Sequence, residues 1–502
     1  MRRRALVALL VAAGLSAACA QQPRPSITPG KPAAPKRGVR ALQRDLGSYY
    51  RVPAFRNAVW GVLVRSLKTG ETLFALNPGT LLMPASNMKV VTTAVAAERL
   101  GWDFTFKTTV VAAGPVENGV LKGDLVVIGS GDPSLGGRPT DGPSVLERWA
   151  DALRARGVTA IEGRIIGDDN AFEDEGLGEG WSWDDLAYGY STPIGGLDFN
   201  ENLVKLTFTP GAAAGDPVTV DASPGASGLE INAAVKTAAK DAEVDINLRR
   251  LPGSLRLDVT GAVPIGKTDV TRTVSVDNPT EFTVGMLRRA LVARGIAVSG
   301  EAVDVDALPA PPDVSAGEAL VAYTSPPLSQ IAKVLLKVSQ NLYADTLLKL
   351  AGRPESGGPA TVRDGRRAVR EVLQSWNIAP GQYVQVDGSG LSRYNYLTAD
   401  VLVTVLTRMY RDERHRAAFT DALPVAGVDG TLEGRMKDTE AQGNARAKTG
   451  SIANTRSLSG FVTSADGEPL VFSMIANNFN VPASDATAVL DRAVVRLAQF
   501  RR

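Results

Sequence analysis

Apolar residues recur along this chain with two periods that alternate in blocks. A stretch of helical spacing at 40–50 precedes two alternating runs, 60–66 and 71–76, joined by a turn at Lys68-Thr69-Gly70. A helical run follows over 85–100 and is stopped by Gly101. From about 106 to 312 the texture changes. Short β-type runs such as 108–112, 125–128, 203–208 and 255–259 are separated by Gly, Pro and Asp turns, with few long helices. Helical spacing returns in 328–350 and 362–376. Three strand-like runs, 444–451, 458–463 and 470–477, then read as adjacent antiparallel strands, and an amphipathic run over 484–500 closes the chain.

This layout predicts a discontinuous α+β domain, 40–105 with 313–502, whose first and last segments share a sheet. A long β-rich insertion separates them. Inside it, 146–158 and 282–296 are both amphipathic helical runs ending in Ala-Arg-Gly-Val or Ala-Arg-Gly-Ile, each followed by a β-run containing Gly. The echo makes 106–202 and 275–312 two halves of one inserted unit, interrupted by a smaller β unit at 203–274. Residues 21–39 are Pro-rich and basic, a tether that cannot bury a core. Residues 1–20 begin with Arg2, Arg3 and Arg4, continue through an apolar run at 5–15 and end in small residues, the three-part plan of an export signal. That run is shorter than the roughly 20 residues a membrane span needs.

Composition narrows the chemistry. The 502 residues are 44% hydrophobic, with 55 Lys+Arg against 53 Asp+Glu, which excludes disorder and fits two or three globular units. Removing the three signal arginines turns the formal charge from +2 to −1, so nothing electrostatic points to nucleic acid. One Cys and one His exclude a disulfide framework, multi-cysteine metal sites and His-rich metal sites. A hydrolase built from this chain works without metal, and without a triad histidine. His415, in the run Arg411-Asp-Glu-Arg-His-Arg416, reads as a solvated helix residue. Cys19 has two readings. Leu15-Ser16-Ala17-Ala18-Cys19 is a lipoprotein box with Ser16 where Leu is usual, and Ala18-Cys19-Ala20 satisfies the small-x-small rule of an ordinary signal peptidase. Both routes export the protein, and the first leaves a lipid anchor on Cys19.

Without a triad histidine, a neutralised lysine is the natural partner for a serine nucleophile. Residues three apart on a helix share a face, and Ser86-Asn87-Met88-Lys89 opens the helix predicted after Pro84; it is the one Ser-x-x-Lys in the sequence. Ser339-Gln340-Asn341 offers a hydroxyl and an amide between two apolar helical runs. Its competitor, Ser375-Trp376-Asn377, reads as a helix end before Pro380. Lys-Thr-Gly occurs twice. Lys68-Thr69-Gly70 is hairpin chemistry, whereas Lys448-Thr449-Gly450 starts a strand beside Ser451 and is suited to fixing a substrate carboxylate.

Ser86-x-x-Lys89, Ser339-x-Asn341 and Lys448-Thr449-Gly450, in this order, match the motif set of penicillin-binding proteins and serine β-lactamases. Gly129-Ser-Gly-Asp-Pro-Ser-Leu135, Trp181-Ser-Trp-Asp-Asp-Leu-Ala-Tyr188, Asp387-Gly-Ser-Gly-Leu-Ser-Arg-Tyr-Asn395 and the long insertion narrow the likeness. From residue 40 onward the chain resembles the class C low-molecular-mass penicillin-binding proteins, the D-alanyl-D-alanine carboxypeptidase/endopeptidases. One departure is Gln340, where that family commonly has Asp.

The resemblance implies a β-lactamase/transpeptidase-like domain, an antiparallel sheet flanked by helices, with the insertion forming two β-rich domains. It implies Ser86 as nucleophile, Lys89 as general base and Ser339 as proton relay. Asn341 would bind the peptide, and Lys448, Thr449, Gly450 and Ser451 would hold the terminal carboxylate. The amides of Ser86 and Ser451 would form the oxyanion hole. Asp184, with Trp181, Trp183 and Asp185, would contact the free end of a diamino acid side chain, or else form a turn with aromatic packing. Asp345 reads either as a structural or surface polar residue or as part of the second motif. Peptidoglycan peptides would be substrates and β-lactams covalent inhibitors, with no metal or cofactor, in the periplasm or cell envelope. The alternatives are a serine β-lactamase of the same fold and a catalytically silent wall-binding protein.

Overall fold

The first and last segments of the chain meet in one five-stranded antiparallel sheet. Thr72–Leu76 pairs with Val59–Ser66, which pairs with Pro469–Asn477, then Thr455–Thr463 and, at the edge, Arg446–Ile452. This computed structural model describes residues 38–502 apart from 138–142, 226, 316 and 356. The expected export signal and nearly all of the tether lie outside the described residues. Helix α1 (Val39–Tyr50) starts at the residue assigned to the end of the tether. Strand periodicity splits the core: Val62 and Val64 pack on one face with Leu42, Leu46, Leu490 and Val494, while Leu63 between them joins the opposite face with Val91 and Leu402.

On that opposite face lies α2 (Met88–Leu100), buried on every side from Met88 to Ala97. A helix apolar all round is a core helix, and each fully buried Val or Met stabilises it by about 1.5–3 kcal/mol. It stops where expected. Gly101 takes φ 78°, and its amide bonds the Ala97 carbonyl at 3.0 Å.

The insertion contributes a mixed sheet in the order Ala302–Asp304, Ile165–Asp168, Asp124–Ile128, Lys107–Ala113, Glu318–Thr324. The internal echo has a structural meaning. Helix α3 (Val145–Ala155) and helix α4 (Pro279–Ala293) lead into strands that pair in parallel, Ala297 opposite Ala160 and Ala302 opposite Ile165. Two three-stranded sheets occupy 203–275, and their apolar residues, Leu206 and Val259 among them, join Val110 and Trp149 in one cluster. The return to the helical part comes at Ser325 instead of 313. Glu318–Thr324 pairs antiparallel with Lys107–Ala113, Tyr323 opposite Thr108, so the sheet claims it.

After the insertion, α5 (Leu328–Lys337) and α6 (Asn341–Ala351) are the two helical runs read on either side of Ser339 within 328–350. The break falls on Ser339, at φ 64°. His415 is not solvated. It is buried in helix Glu413–Ala422, where Nδ1 accepts from Trp102 Nε1 at 3.1 Å and Nε2 meets Glu98 Oε2 at 3.0 Å. Its charged sequence neighbours hid a ring that seals the loop between α2 and the insertion.

Candidate active site

Ser86 sits in a 3-10 turn, Ala85–Asn87, directly ahead of α2. The preceding Ala85 is held at φ 47°, a left-handed conformation that costs a non-glycine residue about 1–3 kcal/mol and persists only when the surroundings enforce it. Those surroundings are visible. Asn87 Nδ2 donates to Ser457 Oγ at 2.6 Å, and Ser457 Oγ donates to the Pro84 carbonyl at 2.6 Å. Across the turn lies Gly450; a Cβ there would be 2.1 Å from Ser457 Oγ and 2.7 Å from the Pro84 oxygen. Glycine is the residue that lets the edge strand close onto the nucleophile turn.

Lys89 is fully buried. Its Nζ lies 2.6 Å from Asn341 Oδ1, 2.7 Å from the Ser389 carbonyl and 3.0 Å from Ser86 Oγ. A neutral amine has two N–H groups and one lone pair. The two carbonyl acceptors occupy both N–H groups and leave the lone pair aimed at the Ser86 hydroxyl, the arrangement a general base requires. Burial pushes the ammonium below lysine's ordinary range, opposed by the charges of Asp345 and Asp387.

Those two carboxylates build the loop behind the base. Asp345 Oδ1 accepts from the amides of Gly388 (2.6 Å) and Ser389 (3.0 Å). Asp387 accepts from the amides of Gly390 (2.7 Å) and Ser392 (2.6 Å), from Asn395 Nδ2 (2.7 Å) and from Trp181 Nε1 (3.0 Å). Burial, followed by the charge of Asp387, pushes the Asp345 carboxyl up. Asp345 is thus buried and anchors this loop, and it is not a surface residue.

The second and third motifs meet at Ser339. Lys448 Nζ donates to Ser339 Oγ and to the Thr449 carbonyl, both at 2.8 Å. Lys448 has no exposed surface, and burial, with the charge of Lys89 adding, pushes its ammonium well down. It therefore backs Ser339 and does not reach out for a carboxylate. Asn341 likewise spends both ends inside the protein, Oδ1 on Lys89 and Nδ2 on the Tyr190 carbonyl at 2.7 Å, so its geometry is that of a lysine-orienting residue more than a peptide binder. Gln340, the departure from the family pattern, caps α6 through the Leu342 amide at 3.2 Å and contacts Glu201 of the insertion.

Ser86, Ser339, Asn341, Thr449 and Ser451 open onto one cleft of about 620 Å³. Asp184 does not join them. It is exposed and bonded to Ser182, while its neighbour Asp185 lines the cleft and accepts from the Tyr190 hydroxyl at 2.7 Å.

Comparison with known families matches residues 42–500 to the D-Ala-D-Ala carboxypeptidase 3 (S13) family. The chain belongs to this family. A D-alanyl-D-alanine carboxypeptidase of an Actinomadura species is 35% identical over 471 residues, covering 91% of this chain and 85% of that protein. The D-alanyl-D-alanine carboxypeptidase DacB of Haemophilus influenzae is 28% identical over 88% of this chain and 89% of its own. Among solved structures, penicillin binding protein 4 of Haemophilus influenzae superposes with a TM-score of 0.77 at 26% identity, covering 91% of this chain and 98% of that one. The same protein complexed with a β-lactam gives 0.71.

Sequence reasoning on this carboxypeptidase missed Thr431 and Arg435, which border the cleft beside Thr449; Thr449 Oγ1 and Thr431 Oγ1 are 2.8 Å apart. Thr431 lies in a short 3-10 turn, Gly430–Leu432, and Arg435 just after it, both ahead of the edge strand, and no spacing rule picks them out. A Thr-x-x-x-Arg stretch so close before Lys448-Thr449-Gly450 was the one signal available.

Proposed function

We propose that the protein is a serine D,D-peptidase that cleaves the bond following a D-alanine in peptidoglycan stem peptides and cross-bridges. The observation that carries this reading is the buried Lys89 Nζ, 3.0 Å from Ser86 Oγ and held by two carbonyl oxygens at 2.6 and 2.7 Å, which in its neutral form engages both N–H groups and turns the lone pair to Ser86. Ser86 gives its proton to Lys89 and attacks the carbonyl, and the amides of Ser86 and Ser451 stabilise the oxyanion by about 3 kcal/mol per donor. Ser339, hydrogen-bonded by Lys448 Nζ, passes a proton to the leaving amine, and water then releases the acyl group. Thr449 and Ser451 face the carboxylate side. At the other end Asp185 takes the place expected of Asp184 and meets the free ammonium of a diamino acid side chain. Export through the N-terminal signal delivers the enzyme to its substrate, and no helix among the described residues is long and apolar enough to cross a membrane.

Incubation with benzylpenicillin is expected to add one drug mass at Ser86, read by peptide mass spectrometry. A folded protein that takes no adduct overturns the reading. Rapid turnover of a chromogenic cephalosporin would place the chain with the β-lactamases instead.

A further inference from the structure

The residue expected to supply positive charge to the cleft does not supply it at the surface, because Lys448 is buried behind Ser339. Another cation does. Arg435 borders the cleft beside Thr431, Thr449 and Ser451. Asp491 of the final helix, Ala483–Ala498, grips it through Nε at 3.1 Å and Nη2 at 2.5 Å. That fixes the plane of the guanidinium, and Nη1 has no protein acceptor among the described residues. A second guanidinium lies within its field. Arg456 sits opposite Ser451 in the strand register, and burial together with the charge of Arg435 pulls it below its ordinary range. Among the described residues Asp491 is the one carboxylate paired with either arginine, so this end of the cleft carries excess positive charge. Asp185 and a further arginine, Arg393, also line the cleft, and Arg393 lies within the field of Asp184, next to Asp185. A planar, pre-oriented guanidinium beside two hydroxyl side chains is a carboxylate receptor.

We propose that Arg435 is a substrate-binding residue that reads the carboxylate on the leaving side of the scissile bond. The inference rests on the D,D-peptidase reading and adds a specificity determinant to it. Its ligands are peptides and β-lactams whose reacting amide is followed by a free carboxylate. Asp491 orients the guanidinium, and Thr449 and Ser451 complete the hydrogen bonds.

The test uses a tripeptide ending in D-Ala-D-Ala as its free acid and as its C-terminal carboxamide, with kcat/KM measured for both. The wild-type protein is expected to prefer the acid. Arg435→Gln is expected to lose roughly 10- to 100-fold on the acid, the worth of a charged hydrogen bond, with little change on the carboxamide. An equal loss on both substrates, or an acid preference that survives the substitution, overturns the proposal. A circular dichroism spectrum and a cooperative thermal melt matching wild type report whether the variant is folded. Should it fail to fold, Arg435→Lys carries the test: it keeps the charge without the planar fork, and an acid-specific drop is expected. No drop, or an equal drop, overturns the proposal. A wild-type protein that takes no penicillin and cleaves neither peptide defeats the D,D-peptidase reading itself; acid-selective cleavage indifferent to Arg435 removes only Arg435.

Discussion

Lys89 has three oxygen neighbours at hydrogen-bond distance, and two of them can only accept. The charges that act on it come from Asp345 on α6 and from Asp387, in the loop after strand Tyr383–Val384, while Lys448 on the edge strand feels the charge of Lys89 in turn. Burial dominates and lowers its proton affinity, so acylation by penicillin should rise with pH along an acid limb centred well below lysine's ordinary 10.4 or so. Asp345 opposes that shift. Replacing it with Asn keeps an acceptor for the Gly388 and Ser389 amides while removing a negative charge that favours the ammonium. Asp345→Asn should therefore move the acid limb to lower pH, by about one unit, and lower the plateau, since the ammonium formed during proton transfer loses its counter-charge. A stopped-flow pH profile checks both. A limb that stays in place while the plateau falls would reduce Asp345 to a structural anchor.

At the scale of elements, the break between α5 and α6 is what delivers the second serine. Had 328–350 formed one continuous helix, Ser339 would lie on a regular helical face with no bend to carry it towards Lys448. The price is a left-handed serine at φ 64°. Glycine adopts that conformation freely and alanine does not. Ser339→Gly should thus be about 1 kcal/mol more stable to urea than Ser339→Ala, while both lose peptide hydrolysis. Equal stability of the two variants would mean that the turn relaxes when the hydroxyl is gone. The same comparison separates the strain of the turn from the chemistry of its side chain.

For the whole molecule, the insertion carries a titratable liability of its own. Asp198 is buried; Oδ1 accepts from Asn202 Nδ2 at 2.6 Å and the Gly195 amide at 3.2 Å, and Oδ2 has no partner among the described residues. Burial first, with the charges of Asp132 and Asp169 adding, pushes its carboxyl up to about 7. Between the unfolded value near 3.9 and this folded value the native state holds a proton that the unfolded chain has released, so stability falls as pH rises through that window. Asp198→Asn has no such slope. Its melting temperature relative to wild type should climb from pH 5 to about pH 7, by an amount worth of the order of 1 kcal/mol per unit, and level off above that. A constant difference across that range would mean that Asp198 is not held protonated.

Much of this architecture was legible in the sequence, because period-two runs and ordered motifs are local signals. Ser86 and Lys89 share one helical turn, and the three closing strands alternate cleanly. What stayed hidden was set by distant partners. Lys448 reads as a surface cation until Ser339, 109 positions away, is placed on it. Glu318–Thr324 looked like helical-domain sequence because its register depends on Lys107–Ala113. Asp184 and Asp185 are indistinguishable by type, and only the turn that carries them decides which one meets the cleft.

The shared sheet has a further consequence for how such a protein is made. The hydrogen bond that fixes the nucleophile turn joins Asn87 to Ser457, 370 positions later, and the strand carrying Lys448 comes just before it. A ribosome produces the nucleophile early and its supports almost last. Until the closing hairpin emerges, Ala85 has nothing to hold it in its left-handed conformation and Ser339 has no lysine behind it. The order of synthesis thus acts as a safety catch: a chain still being made, or cut short, carries its serine unarmed.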